Sequence, residues 1–196
     1  ADLIVQSGVK EIFIGCLDPD PRTSGKSVSF FKKSNIAVEV GLCGDKAKDI
    51  ISGFNSRINR GLPNLSLKVA ISLDGKIALK NKTSKWISNN LSRKFSHFLR
   101  SQHDGIMTSS SNVIYNNPEL TCRLSGLEKK SPLKIIIDRK LKIKNNSKVL
   151  KSFNGEKTII YFSSSLTQEN KNFFFNKKNI IYRDINSLIK KKNRWL

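Results

Sequence analysis

Short runs of β-branched and apolar residues recur along this chain, and they limit its fold more than any other feature. Glu11-Ile12-Phe13-Ile14, Ile36 to Val40, Gly105 to Thr108, Leu133 to Asp138, Lys157 to Phe162 and Asn179 to Tyr182 all have the length of a strand. Between several of them lie stretches with helical spacing. Strands that alternate with helices predict an α/β protein with parallel pairing, because a parallel strand must be reached by a crossover.

Several local readings follow. Residues 1 to 9 can form a short helix closing at Gly8, and Ser27 to Lys33 a second one beyond the loop Leu17-Asp18-Pro19-Asp20-Pro21. Asp45 is placed to cap a helix burying Ala47, Ile50, Ile51, Phe54 and Ile58, with Gly61 and Pro63 ending it. From Leu65 to Leu73 the alternation is strict, which predicts a strand with one buried face. Asp74-Gly75 supplies a tight turn, and Lys76 to Leu79 can return as the partner strand. Ser88 is then expected to cap a helix with Leu91, Phe95, Phe98 and Leu99 on its inner face. A last helix is expected from about Asp184, and the Lys/Asn-rich stretches Lys142 to Lys148 and Glu169 to Lys178 read as solvated loops.

Composition narrows the function classes. In 196 residues there are 36 Lys and Arg against 15 Asp and Glu, a net charge of +21. Such a charge invites nucleic acid as a partner through counterion release. The lysines, however, are spread along the whole chain with no basic motif interleaved with aromatics, and an anionic metabolite suits the surface equally well. The three cysteines, Cys16, Cys43 and Cys122, are widely spaced, so neither a disulfide framework nor a Cys-x-x-Cys clip is expected. No stretch reads as a signal peptide or a bilayer span, and a soluble intracellular protein is expected.

Two motifs are decoys. Gly25-Lys26-Ser27 follows a strand, but Asp20 stands where a phosphate-binding loop needs its first glycine, flanked by prolines that lack amide donors. His97 and His103 have no second ligand at metal spacing, and a surface position is expected for both.

A third constellation carries more. Lys68 to Ala78, then Ser84-Lys85-Trp86-Ile87-Ser88, Leu99-Arg100, Asp104 to Met107, and Asn116-Asn117-Pro118-Glu119-Leu120-Thr121-Cys122-Arg123 set polar and aromatic residues at strand ends and helix starts. Such places bind ligands without breaking a core. From the residues alone, a binding role and a plain packing role for Trp86 stand level.

The series resembles the reductase domain of the bacterial riboflavin-biosynthesis bifunctional deaminase-reductase. Shared are a strand ending Ser-Leu-Asp-Gly, a Ser-x-Trp-Ile helix start, a helix ending Leu-Arg, and a Pro-x-Leu-Thr-x-Arg loop, from about Leu65 to Arg123. Weaker similarity continues through Ile135-Ile136-Ile137-Asp138, and Ser7-Gly8-Val9 with Asp18-Pro19-Asp20-Pro21 looks like the tail of the family's deaminase domain. The resemblance implies a dihydrofolate-reductase-like reductase domain at 63–196, preceded by the C-terminal tail of a cytidine-deaminase-like domain at 1–44 and a linker helix at 45–62. It also implies a stretch cut at both ends. The His-Ala-Glu and Pro-Cys…Cys segments that bind the deaminase's zinc are not among these residues, nor is the reductase's Glu-Gly-Gly stretch.

The activity implied is NADPH-dependent reduction of 5-amino-6-(5-phosphoribosylamino)uracil in the cytoplasm, with that phosphoribosylaminopyrimidine as the small-molecule partner. By position, Ser84, Arg100, Leu120 and Arg123 would contact substrate, while Ala70, Trp86, Asn112 and Asn116 would line the NADPH site. Asn116-Asn117 stands where the family has an acidic pair, and Asn112 where a threonine is common. Assembly through reductase domains is a further expectation of the resemblance. The rival readings are a catalytically inactive fragment and a basic nucleic-acid-binding protein.

Overall fold

The alternation of strand and helix signals is realised as two separate parallel sheets. The computed structural model describes residues 1–81, 83–84, 87–152, 155–163 and 178–187. The chain divides into two compact units, Ala1–Leu67 and Lys68–Leu196.

In the first unit, helix α1 (Asp2–Gln6) leads to strand β1 (Glu11–Ile14), helix α2 (Lys26–Lys33) and strand β2 (Ala37–Val40). The two strands pair in parallel, Glu11 opposite Ala37 and Ile14 opposite Val40. Phe31 of α2 and Ile36 fill the space beneath them, each almost wholly buried. Between β1 and α2, the Asp20 carboxylate accepts the Arg22 backbone N–H at 2.9 Å and is clasped by the Arg22 guanidinium. That partner lowers the Asp20 carboxyl to about 2. At Gly15 a Cβ would stand 2.6 Å from the Ala47 Cβ, so only glycine fits the close approach of strand end and following helix.

The expected single helix after residue 45 is instead two, α3 (Gly44–Ile50) and α4 (Ser52–Arg60), broken at Ile51. Asp45 lies in the first turn and the N-cap is Cys43, whose positive φ of 53° turns the chain in place of a side-chain cap. The break rotates the apolar stripe: Ile50 and Phe54, expected inside, are exposed. Ser56 is the buried residue of α4, its hydroxyl donating to the Leu62 carbonyl at 2.7 Å.

In the second unit, helix α5 (Asn90–Ser101) precedes strand β3 (Gly105–Ser109), helix α6 (Ser110–Asn116), and strands β4 (Leu133–Ile137), β5 (Thr158–Phe162) and β6 (Ile180–Asp184). All four strands are parallel, in the order β3-β4-β5-β6. Burial alternates strictly along β4 and β5, and Ile136, Ile160 and Ile180 face Val113 of α6 together with Ile143, Val149 and Leu150. Each such side chain contributes about 1.5–3 kcal/mol by leaving water. Polar groups in this layer are satisfied. The buried Lys134 ammonium donates to the Lys151 carbonyl at 2.8 Å, and Asp138 accepts the backbone N–H groups of Lys142 and Ile143 at 3.0 and 2.9 Å. The stretch Lys142 to Lys148 is therefore an anchored loop with Ile143 and Ser147 inside, and not the solvated one expected.

Other expectations also fail here. Residues 64–72 form no strand, and Leu65, Leu67, Val69, Ile71 and Leu73 are all exposed. Alternation permits a strand, but the hydrogen-bond ladder needs a partner, and none of the described strands lies beside this segment. The Asp74-Gly75 turn does form, with Ser72 and Lys76 bonded across it at 2.9 Å, yet Lys76 to Leu79 does not return as a strand. The cap of α5 is Asn89, which accepts the Ser92 N–H, and not Ser88. Leu91, Phe95 and Phe98 are exposed, and the half-buried face of α5 carries His97 and Arg100. The last helix does begin where it was expected: β6 ends at Asp184, residues 185–187 are helical, and residues 188–196 lie outside the described residues. So do residues 169–177 of the second expected loop.

Candidate functional site

The 117–123 loop, between α6 and the turn that precedes β4, joins two polar constellations of the second unit. Its backbone is unusual at Asn117 and Leu120, whose φ values of 41° and 60° lie in the left-handed region. A leucine there costs about 1–3 kcal/mol and is held only where its surroundings over-determine it. Leu120 is so held, its side chain being 5% exposed within the core cluster.

The first constellation lies at the N-terminal side of the loop. Ser84 Oγ donates to Asn116 Oδ1 at 2.9 Å, Asn116 Nδ2 donates to Asn112 Oδ1 at 2.8 Å, and Asn112 Nδ2 donates to Thr108 Oγ1 at 2.8 Å. Asn112 and Asn116 are one helical turn apart on α6, which is why their amides meet. Each amide is oriented by the next, giving an uncharged polar line from the strand β3 to the 83–84 segment.

The second constellation gathers arginines. Arg100 Nη1 donates to the Thr121 carbonyl at 2.9 Å, and the Arg123 N–H donates to His97 Nδ1 at 3.2 Å. Cys122 is fixed by its N–H to Ser131 Oγ at 3.0 Å and by its thiol to the His97 carbonyl at 3.3 Å. Arg123 Nη1 pairs with Glu119 Oε2 at 2.9 Å, and Glu119 Oε1 lies 3.8 Å from Lys148 Nζ. Burial, with the neighbouring Arg123 charge behind it, pushes the Arg100 guanidinium below its ordinary value. A guanidinium remains charged regardless, so the cost of holding it here is one that an anion would offset. Beside it a cleft of about 550 Å³ is lined by Arg93, Lys94, His97 and Arg123.

The structure thus brings Ser84, Asn112 and Asn116 into one hydrogen-bonded line, and Arg100, Leu120 and Arg123 onto one helix-loop joint. Ala70 lies in the irregular 64–72 segment, and no hydrogen bond among the described residues ties it to either group. Trp86 lies outside the described residues. The sequence reading missed Thr108, Glu119 and Lys148, and it misplaced His97, which is half-buried against the loop and not on the surface. The signal for His97 was its position three residues before Arg100, on the same helix face. Among the described residues no group of three or more metal-ligating side chains occurs.

A family model described as the RibD C-terminal domain matches residues 63–191. The riboflavin biosynthesis protein RibD of Aquifex aeolicus is 38% identical over 149 residues, 76% of this chain and 42% of that protein. Its Escherichia coli counterpart is 31% identical over 148 residues, 70% of this chain and 40% of that protein. Among solved structures, the Thermotoga maritima diaminohydroxyphosphoribosylaminopyrimidine deaminase/5-amino-6-(5-phosphoribosylamino)uracil reductase superposes with a TM-score of 0.79 at 30% identity, covering 92% of this chain and 48% of that one. RibD of Acinetobacter baumannii gives 0.78 at 29% identity over 94% of this chain and 50% of that one. The chain therefore spans less than half the length of the curated relatives described.

Proposed function

The chain belongs to the RibD C-terminal domain family, and from that premise we propose that it forms part of an NADPH-dependent reductase of riboflavin biosynthesis. The substrate is 5-amino-6-(5-phosphoribosylamino)uracil, whose ribosyl ring is opened to a ribityl chain. The observation that carries this reading is the arginine pair at the joint of α5 and the strained loop: Arg100 bonded to Thr121, and Arg123 bonded through its N–H to His97 and lining the neighbouring cleft. Guanidinium groups match the oxygens of a phosphate monoester in bidentate geometry, which suits the substrate's 5′-phosphate.

NADPH, when bound, supplies the hydride, and the protein's contribution is orientation. The Ser84–Asn116–Asn112 line fits such a group, since it offers hydroxyl and amide groups that can hydrogen-bond to it. Ser84, whose hydroxyl donates to Asn116, is assigned to the substrate in this reading. Leu120 presents the loop backbone, and Arg100 with Arg123 hold the phosphate so that the sugar meets the cofactor in a fixed pose. Ala70 and Trp86 complete the cofactor side in this reading. The reaction is cytoplasmic in this reading; no helix among the described residues is long and apolar enough to cross a membrane. Assembly of copies through the reductase domain is part of the same proposal.

The test is substrate-dependent consumption of NADPH by the full-length protein. Loss of a charged hydrogen bond is worth about 1.5–3 kcal/mol, so Arg100→Ala and Arg123→Ala should each raise the substrate KM roughly ten- to hundredfold. NADPH affinity should be unchanged. Variants that weaken NADPH and leave the substrate KM alone would reverse the assignment of the two constellations.

A further inference from the structure

We propose that His97 is a positioning residue that holds the Arg100–Arg123 joint in its ligand-ready form through an unprotonated Nδ1. The inference rests on the reductase reading above and deepens it.

The argument begins with hydrogen-bond direction. The Arg123 backbone N–H points at His97 Nδ1 from 3.2 Å, and a backbone N–H can only donate. Thr121 O lies the same 3.2 Å from Nδ1, but it is satisfied by Arg100 Nη1 at 2.9 Å without a ring proton, whereas a proton on Nδ1 would leave the Arg123 N–H without this acceptor. Nδ1 is therefore the acceptor and the ring proton sits on Nε2. Arg100 Nη1 also approaches Nδ1 at 3.4 Å, so the same lone pair faces the side chain of one arginine and the backbone of the other. The histidine carbonyl meanwhile receives the Cys122 thiol at 3.3 Å. Ring and backbone of one residue thus grip both Cys122 and Arg123 and fix where the second guanidinium begins.

Protonation would exchange these partners. An N–H at Nδ1 cannot accept from Arg123, and it would turn to Thr121 O in competition with Arg100. Arg100 on α5 and Arg123 on the loop place positive charge by the ring, Arg93 and Lys94 line the same cleft, and Glu119 is the carboxylate that opposes them. Burial first, and then Arg100 and Arg123, lower the His97 pKa, in keeping with a ring held neutral. Its folded value being below its unfolded one, the joint is fully stable above the ordinary histidine range of about 6.5 and loses stability as pH falls below it.

The experiment compares His97→Ala and His97→Asn in the full-length protein, following NADPH consumption against substrate concentration. The Asn side-chain oxygen occupies the place of Nδ1 and accepts without titrating. His97→Ala should raise the substrate KM about tenfold, the worth of roughly 1.4 kcal/mol, with kcat and NADPH affinity near wild type. His97→Asn should recover most of that loss. Below neutral pH the wild-type KM should climb relative to the Asn variant; titration of the substrate phosphate is common to both and cancels in the ratio. Equal damage in both variants, no damage in His97→Ala, or a flat wild-type to Asn ratio would each overturn the proposal. A wild type that consumes no NADPH on adding substrate would overturn the functional reading itself, and this inference with it.

Discussion

Leu120 combines two opposing demands, a buried side chain and a left-handed backbone. Replacing it with glycine relieves the backbone, worth about 1–2 kcal/mol, but removes a buried leucine worth about 1.5–3 kcal/mol and leaves a cavity. Leu120→Gly should therefore lower stability by about 1–3 kcal/mol in urea unfolding, and should loosen substrate binding more than NADPH binding. A neutral or stabilising effect would show that packing does not hold the loop. Leu120 could be named from sequence only through the Pro-x-Leu-Thr-x-Arg resemblance. Nothing in its own residue type announces a positive φ, because leucine there is set by tertiary packing and not by propensity. Asn112 and Asn116 were likewise named only through the resemblance, because no helix was expected over 110–116, and their shared line to Ser84 and Thr108 depends on that helix.

At the level of elements, α5 shows how a pattern can be right in period and wrong in phase. Leu91, Phe95 and Phe98 recur at helical spacing, and an inner face was the natural expectation. The helix turns His97 and Arg100 inward instead, where carbonyls of the 121–122 loop and the Arg123 N–H satisfy them, and Phe95 stacks on Phe98 at 6.2 Å on the outer side. Polar residues win the buried face when their partners are already built there, which a single sequence does not display. The start of the helix was misread by one residue for a similar reason, since Ser88 and Asn89 are both good caps. Because Asn89 Oδ1 accepts the Ser92 N–H at 2.8 Å, Asn89→Ala should cost about 1 kcal/mol by thermal or urea unfolding. Ser88→Ala should cost far less, and the opposite order would restore the sequence expectation.

For the whole molecule, the order of apolar runs was enough to foresee parallel α/β units, because crossovers through helices leave few other solutions. The strands β4 and β5, each with one wholly buried and one half-buried face, were the plainest in sequence and lie at the centre of their sheet. Residues 65–73 had the cleanest alternation and form no strand among the described residues, so pattern without a partner does not decide pairing. Charge acts at this scale as well. The chain carries a net charge of +21 and a cleft of its second unit is lined by Arg93, Lys94 and Arg123, so on the proposed reading an anionic substrate should be concentrated electrostatically. Screening shortens the Debye length from about 30 Å at 0.01 M salt to about 3 Å at 1 M. The substrate KM should therefore rise steeply across that range in the full-length protein, while kcat stays within about twofold, since salt weakens capture and leaves the buried Arg100 contact largely intact. Part of the rise should vanish in Arg93→Gln, Lys94→Gln double variants, which remove cleft charges without touching the Arg100–Thr121 bond. A KM indifferent to salt would mean that the excess charge has no part in gathering substrate and that the two arginines of the joint capture the phosphate unaided.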